Sequence, residues 1–414
     1  MIRSDALRHL RAPEVLRTEP QFRLLFVGQV LSLVGDRMML VALPFAVLHA
    51  GGGTGAIGLV VAAQLIPTVI FGLFGGALSD RSDRRLVLIG SDMGRLLVQA
   101  CGGALLLSGA ATPTLLGVLA FGYGTADAFF QPAFTGLLPQ TVSTAEQLQP
   151  ANALRGLSFS VAAVAGPAIA GVLVASAGAG AAFLLDAGSF AVSVLCLLFL
   201  RPSARAVSAE TSPPVFKAIR EGWKEISSRP WLRAGLAAMG AYSALVLPSV
   251  FVLGPVYVSS QLGGPGAWAA VVVSFGVGSI IGDLSLLRVR PRRALRAAAI
   301  GLGFASLQAA VYGAGAALAL TCLLQLLAAI GVTVFFTLWE VTLQEHIPQQ
   351  SLSRVSSWDY LAGAALMPVG TAVAGPLAAT LGVRSTLFGM SGLGLAAAVA
   401  FFAVPSVRSL ARGH

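Results

Sequence analysis

Apolar residues run through this chain in stretches too long for the core of a soluble domain. Twelve stand out, at about 22–48, 56–78, 86–108, 113–137, 154–176, 180–200, 232–256, 265–287, 294–314, 316–339, 358–381 and 384–405. Each reaches the ~20 helical residues that cross a ~30 Å hydrocarbon core. In that core, helices satisfy every backbone polar group internally. The pattern predicts an all-α membrane protein with twelve transmembrane helices. The widest polar interval, 201–231, opens on breakers and continues with Val215, Phe216, Ile219, Trp223 and Ile226 at helical spacing, opposite Lys217, Arg220, Glu221 and Lys224. It predicts an amphipathic helix lying on the membrane surface. The expected divisions are a cytoplasmic N-terminal segment 1–21, a six-helix bundle 22–200, the linker 201–231, a second bundle 232–405 and a cytoplasmic tail 406–414.

The two bundles share motifs. Gly72, Gly76, Leu78 and Ser79 return 206 residues later as Gly278, Gly282, Leu284 and Ser285. Pro139-Gln140 precedes Ala163-Val-Ala-Gly-Pro167, and Pro348-Gln349 precedes Ala372-Val-Ala-Gly-Pro376, with the same 24-residue separation. Duplicated halves are a common architecture of secondary transporters, and the fold reads as two pseudo-symmetric halves.

Composition agrees: of 414 residues, 56% are apolar and 11% charged. The net charge of +10 could suggest nucleic acid, but its distribution excludes that reading. Of 27 Lys and Arg residues, 24 fall at the termini or in the even-numbered connections, the adjoining helix edges included. Arg384 alone lies in an odd-numbered connection, and Arg37 and Arg95 lie within helices. This positive-inside asymmetry predicts a multi-pass protein with both termini cytoplasmic. The arginine-rich, lysine-poor, Ala/Gly-rich composition points to a GC-rich bacterial genome, hence the bacterial cytoplasmic (inner) membrane. No short apolar leader with a cleavage site opens the chain, and no P-loop suggests ATP coupling. Cys101, Cys196 and Cys322 lie in apolar runs as small packing groups, and the histidines His9, His49, His346 and His414 lie outside membrane depth, so no metal site is expected.

After the second helix comes Gly76-Ala-Leu78-Ser-Asp80-Arg81-Ser-Asp83-Arg84-Arg85. The chain here resembles the major facilitator superfamily, whose signature is matched at Gly76, Leu78, Asp80, Arg81, Arg84 and Arg85; Asp83 stands where the family usually has glycine. The resemblance implies that Asp80 braces a cytoplasmic gate against the eleventh helix, whose start near Ser351–Ser353 offers capping hydroxyls. Phe22-Arg-Leu-Leu-Phe, Gly35-Asp36, Gln131-Pro-Ala133, Ala151-Asn152, Ser353-Arg354-Val355 and Met367-Pro368 look like the drug:proton antiporter branch, which includes macrolide and enterobactin exporters. The helix-bending antiporter motif is partly matched by Gly166-Pro167 and its repeat Gly375-Pro376.

Charged side chains at membrane depth are costly and usually face a partner or a cavity. Asp36 shares a face of the first helix with Gln29 and Ser32, and Asp127 shares one of the fourth with Tyr123, Gln131 and Phe134. The resemblance implies that helices one, four, seven and ten line a central cavity. Asp36 and Asp127 are therefore the proton-coupling candidates. Gln29, Ser32, Tyr123, Gln131, Phe134, Tyr242, Gln325 and Phe336 are the substrate-cavity candidates, an aromatic lining suited to bulky amphipaths. Asp92 and Arg95, at i and i+3, can neutralise each other, and Asp186 lies early in the sixth helix; all three are expected to be structural.

The expected protein is not an enzyme and carries no cofactor. It acts on a small amphipathic substrate by alternating access, with protons as the energy source, as a monomer in the bilayer and without nucleic acid. A siderophore or lysophospholipid transporter of the same fold is the alternative. A membrane-embedded transferase would need a catalytic cluster beside an enlarged loop, which the short connections do not provide.

Overall fold

The computed structural model describes residues 11–202 and 215–410, with the side chains of 11–13, 73–81, 145, 215–219, 221, 349, 350, 353 and 357 outside the described part. Twelve long helices dominate the described residues. In chain order they are α1 Pro20–His49, α2 Thr54–Arg81, α3 Arg84–Leu107, α4 Pro113–Leu137, α5 Leu148–Ala177, α6 Ala179–Phe199, α7 Pro230–Gln261, α8 Pro265–Arg288, α9 Ala294–Gly313, α10 Leu318–His346, α11 (Gln349–Ala364 and Met367–Leu381) and α12 Val383–Ala403. Ten of these contain segments long and apolar enough to cross a membrane. The other two, α3 and α4, have the length, 24 and 25 residues, but α3 carries Asp92 and Arg95 and α4 carries Asp127 at depth.

Several apolar runs end where backbone chemistry dictates. Gly178 and Gly382, with φ of 82° and 84°, turn the chain into α6 and α12, a conformation open to glycine without a Cβ clash. Within α7, two π-helical turns, Tyr242–Val246 and Ser249–Leu253, flank Pro248. Proline lacks the N–H that an α-helix needs, and wider turns absorb the mismatch. Two expected ends shift: α5 begins at Leu148 and α10 continues to His346. The start of α11 also differs from expectation. Its N-cap is Pro348, with no capping side chain, so Ser351 and Ser353 lie inside the helix.

The chain divides into two compact units: one holds α1 up to Ala46 and the chain from Ala63 through α6, the other Val47–Ala62 with α7–α12. In the first, Phe22, Leu88, Phe130, Phe134 and Leu197 share a core. In the second, Trp231, Phe335, Trp339 and Phe401 pack together. Gly278 and Gly282 bring α8 onto α10, where a Cβ would meet the Leu326 carbonyl and Thr333. The other copy of this motif, from Leu73 on, lies outside the described side chains. Gly375 packs against Gly55 within the second unit, while Gly166 packs α5 against Val34 and Arg37 in the first. The helix Val215–Ser227 is anchored to the second unit: Ile226 is buried in its core, and Trp223 meets Trp358 at 5.1 Å between ring centroids. Val215, Phe216 and Ile219, assigned to its apolar face, lie outside the described side chains.

Candidate functional site

Polar side chains of the first unit converge on α3. Asp92, Arg95 and Gln99 form one stripe at i, i+3 and i+7, so a single helix face carries a charge pair and an amide. Arg95 is buried to 1% exposure and Asp92 to 0%, and Asp92 pairs with Arg95 through Nη2. The other carboxylate oxygen of Asp92 accepts from the Ser193 hydroxyl of α6 at 2.6 Å. The opposite guanidinium nitrogen, Nη1, lies 3.4 Å from Asp127 on α4 and 3.6 Å from Asp36 on α1. Tyr123 donates its hydroxyl to Asp36. Phe130 and Phe190 present ring faces to the guanidinium, with centroids at 4.1 and 4.5 Å, a cation–π arrangement that partly replaces lost hydration.

Gln99 extends the network by donating to Asp186 at 2.5 Å, and Ser189 donates to the same carboxylate at 3.3 Å. Among the described residues, one guanidinium thus sits in a network with four carboxyl groups. Two of them, Asp92 and Asp186, are sealed at 0% exposure. Asp36 and Asp127 keep 25% and 34% of their side-chain surface exposed. A buried charge needs partners and hydrogen bonds; Arg95 has them on its terminal nitrogens, while its Nε has none among the described residues. A void of about 20 Å³ touches Gln99 and Tyr123, room for one water.

The signature loop acts inside the first unit. Asp83 accepts from the backbone N–H of Arg85 at 2.9 Å and so caps the start of α3. Arg84 donates to the Gly136 carbonyl at 2.8 Å, and Arg85 to the carbonyls of Leu197 and Leu198 at 2.6 and 2.5 Å. These carbonyls belong to the last turns of α4 and α6, where helical donors run short and positive charge is favoured; that of Leu197 also accepts from the Leu200 N–H at 3.2 Å. The side chains of Gly76, Asp80 and Arg81, assigned to gating, lie outside the described residues.

The cavity candidates separate by burial. Ser32 is buried and donates to the Gln29 backbone carbonyl at 3.2 Å; the Gln29 side-chain oxygen is buried and has no partner among the described residues. Phe134 is buried, whereas Gln131 is exposed and accepts from Arg155 at 3.1 Å. In the second unit, Tyr242 accepts from Gln308 at 2.7 Å, and Gln325 donates to the Gln308 carbonyl at 3.1 Å, all three buried. Phe336 is partly exposed beside Phe335. Gln99, Ser193 and Arg155 were not singled out from sequence. The first was visible as the continuation of the Asp92–Arg95 stripe; Ser193 and Arg155 act across helices and left no sequence signal.

The profile of the Major Facilitator Superfamily matches residues 25–371. A protein named multidrug efflux pump Tap from Mycobacterium tuberculosis is 26% identical over 397 residues, covering 90% of each chain. Its namesake from Mycolicibacterium fortuitum is 29% identical over 399 residues, covering 91% of this chain and 93% of that one. In fold, the chain is similar to an inward-facing bacterial homologue of the iron transporter ferroportin, with a TM-score of 0.75, 18% identity and coverage of 94% and 99%. With membrane-length helices and a profile spanning most of its length, the chain belongs to the major facilitator superfamily, a family of multi-pass membrane transporters and not of enzymes.

Proposed function

We propose that the protein is a proton-coupled exporter of amphipathic molecules that works by alternating access. The observation that carries this reading is the charge imbalance around Arg95: one guanidinium faces more carboxyl groups than it can neutralise at membrane depth. Such an excess is stable when protons or a cationic guest share the site. Asp92 holds Nη2 of Arg95, while Asp36 and Asp127 compete for Nη1. A proton on Asp36 releases Nη1 toward Asp127, and departure of the proton returns it. Coupling requires that substrate and proton bind the two access states with different affinity, and a shared guanidinium provides that bias. The multidrug efflux names of the mycobacterial relatives support a drug or metabolite as cargo; amphipathic molecules such as macrolides are the class we propose. The charge distribution supports an inner-membrane orientation with both termini inside. The two motif-bearing halves, 22–200 and 232–405, would function within one monomer.

The test uses everted vesicles with a pH-reporting acridine dye. After respiration acidifies the lumen, lipophilic cations, macrolides and neutral amphiphiles are added singly. Substrate-dependent dequenching by wild type and its loss in Asp36→Asn, with equal protein in the membrane, is the expected result. Full coupling in Asp36→Asn and in Asp127→Asn would remove these acids from the mechanism. Proton-independent movement of a lysophospholipid or siderophore would favour that cargo instead.

A further inference from the structure

Tyr123 and Asp127 stand one turn apart on α4, so both side chains leave the same face of that helix. Asp127 reaches Nη1 of Arg95 at 3.4 Å, while Tyr123 donates its hydroxyl to Oδ1 of Asp36 on α1. The other carboxyl oxygen of Asp36, Oδ2, lies 3.6 Å from the same Nη1, too far for a hydrogen bond. Among the described residues, Tyr123 is thus the hydrogen-bond donor to Asp36, and Arg95 acts on that carboxyl by charge alone. Tyr123 is itself buried, and its ring lies edge-on to Phe190 of α6 at 6.2 Å between centroids. That contact fixes the ring, and with it the place of the hydroxyl.

A phenol suits an acid that changes charge. It carries one hydrogen and lone pairs to accept another. Toward ionised Asp36 the Tyr123 hydroxyl donates; toward protonated Asp36 it can rotate and accept. The two bonds are unequal, because donation to a charged oxygen is roughly twice as strong as a neutral hydrogen bond. A phenol in this place therefore helps the acid give up its proton and still serves it while the proton is held. The other charged groups acting on Asp36 are Arg95 and Asp92 of α3, Asp127 of α4 and Asp186 of α6.

We propose that Tyr123 is a positioning residue for proton coupling, holding Asp36 beside Arg95 and easing release of its proton, and is not a substrate contact. The inference rests on the exporter reading for what the proton does, but the effect of the hydroxyl on Asp36 is measurable without transport.

The experiment follows the full-length protein in detergent by infrared spectroscopy, in which a protonated carboxyl has its own carbonyl band. The band lost in Asp36→Asn belongs to Asp36, and its pH midpoint is compared between wild type and Tyr123→Phe. Phenylalanine keeps the ring against Phe190 and removes only the hydroxyl. Losing the donor to the anion should raise the midpoint by about one pH unit, or roughly tenfold in proton affinity, the difference between a charge-assisted and a neutral hydrogen bond. In everted vesicles the pH dependence of substrate-driven dequenching should move the same way, with the half-saturating substrate concentration unchanged. An unmoved infrared midpoint, or no Asp36 band at any pH, would overturn the proposal. So would a Tyr123→Phe protein whose half-saturating concentration rises while its pH dependence stays, the behaviour of a substrate contact. A shifted infrared midpoint in a protein without proton-coupled transport would support the role of the hydroxyl and count against the exporter reading alone.

Discussion

Gly35 of α1 lies directly against Asp186 of α6, so close that a methyl group at Gly35 would overlap the carboxylate and touch the Ser189 hydroxyl. The same helix pair closes through Gly28, where a Cβ would meet Ser193 and Cys196 at 3.1–3.3 Å. Small residues seven apart let α1 approach α6 and place Asp36 beside the Arg95 network. Gly35→Ala should therefore lower stability by about 1–3 kcal/mol, the usual cost of overpacking. The check is thermal unfolding in detergent, and a Gly55→Ala variant, where a Cβ meets nothing within 4 Å, is the control.

Arg95 is the sole guanidinium of its network among the described residues, so its loss leaves buried carboxylates without a counter-charge. Arg95→Gln should cost about 3–5 kcal/mol, as for breaking a buried pair from one side. Adding Asp92→Asn should recover part of that loss. A double-mutant cycle on unfolding midpoints reads the coupling; strict additivity would show that the pair is not an energetic unit.

Asp83 replaces the glycine usual at its place in the signature, and it caps α3. Asp83→Ala should cost about 1 kcal/mol, while Asp83→Gly, which restores the usual residue, should cost only a few tenths. Comparing the two midpoints separates the cap from any general demand for charge in the loop.

Tyr242, Gln308 and Gln325 form a buried neutral network in the second unit. Gln308→Leu should be destabilising by about 1–3 kcal/mol because it leaves the Tyr242 hydroxyl without its donor. The double variant with Tyr242→Phe should regain most of the loss, since removing both partners spares the desolvation penalty. Unfolding midpoints of the three proteins decide it.

Helix type and family were legible because both rest on local or periodic information: run length, the asymmetry of arginines, a motif repeated at fixed spacing. Asp92 and Arg95 were legible as a pair because i and i+3 share a helix face. Asp36 and Asp127 could be named as acids at depth, but nothing local showed that they meet at one guanidinium. Gln99 continued a visible stripe, whereas Ser193, Phe190 and Arg155 act from other helices. The break in α11 and the π-turns of α7 escaped the hydropathy pattern, which reports how apolar a segment is and not how its backbone is bonded.

By itself, the sequence determined that the chain is a bundle of membrane helices with a repeated motif and with most of its basic residues in alternate connections. A low-dielectric solvent enforces both the length and the apolar content of each span, and those constraints act residue by residue. Only the tertiary structure decided which helices touch, that Gly35 admits Asp186, and that Arg95 divides itself between Asp36 and Asp127. Such choices depend on side-chain volume and direction across helices far apart in the chain, where no periodicity carries the information.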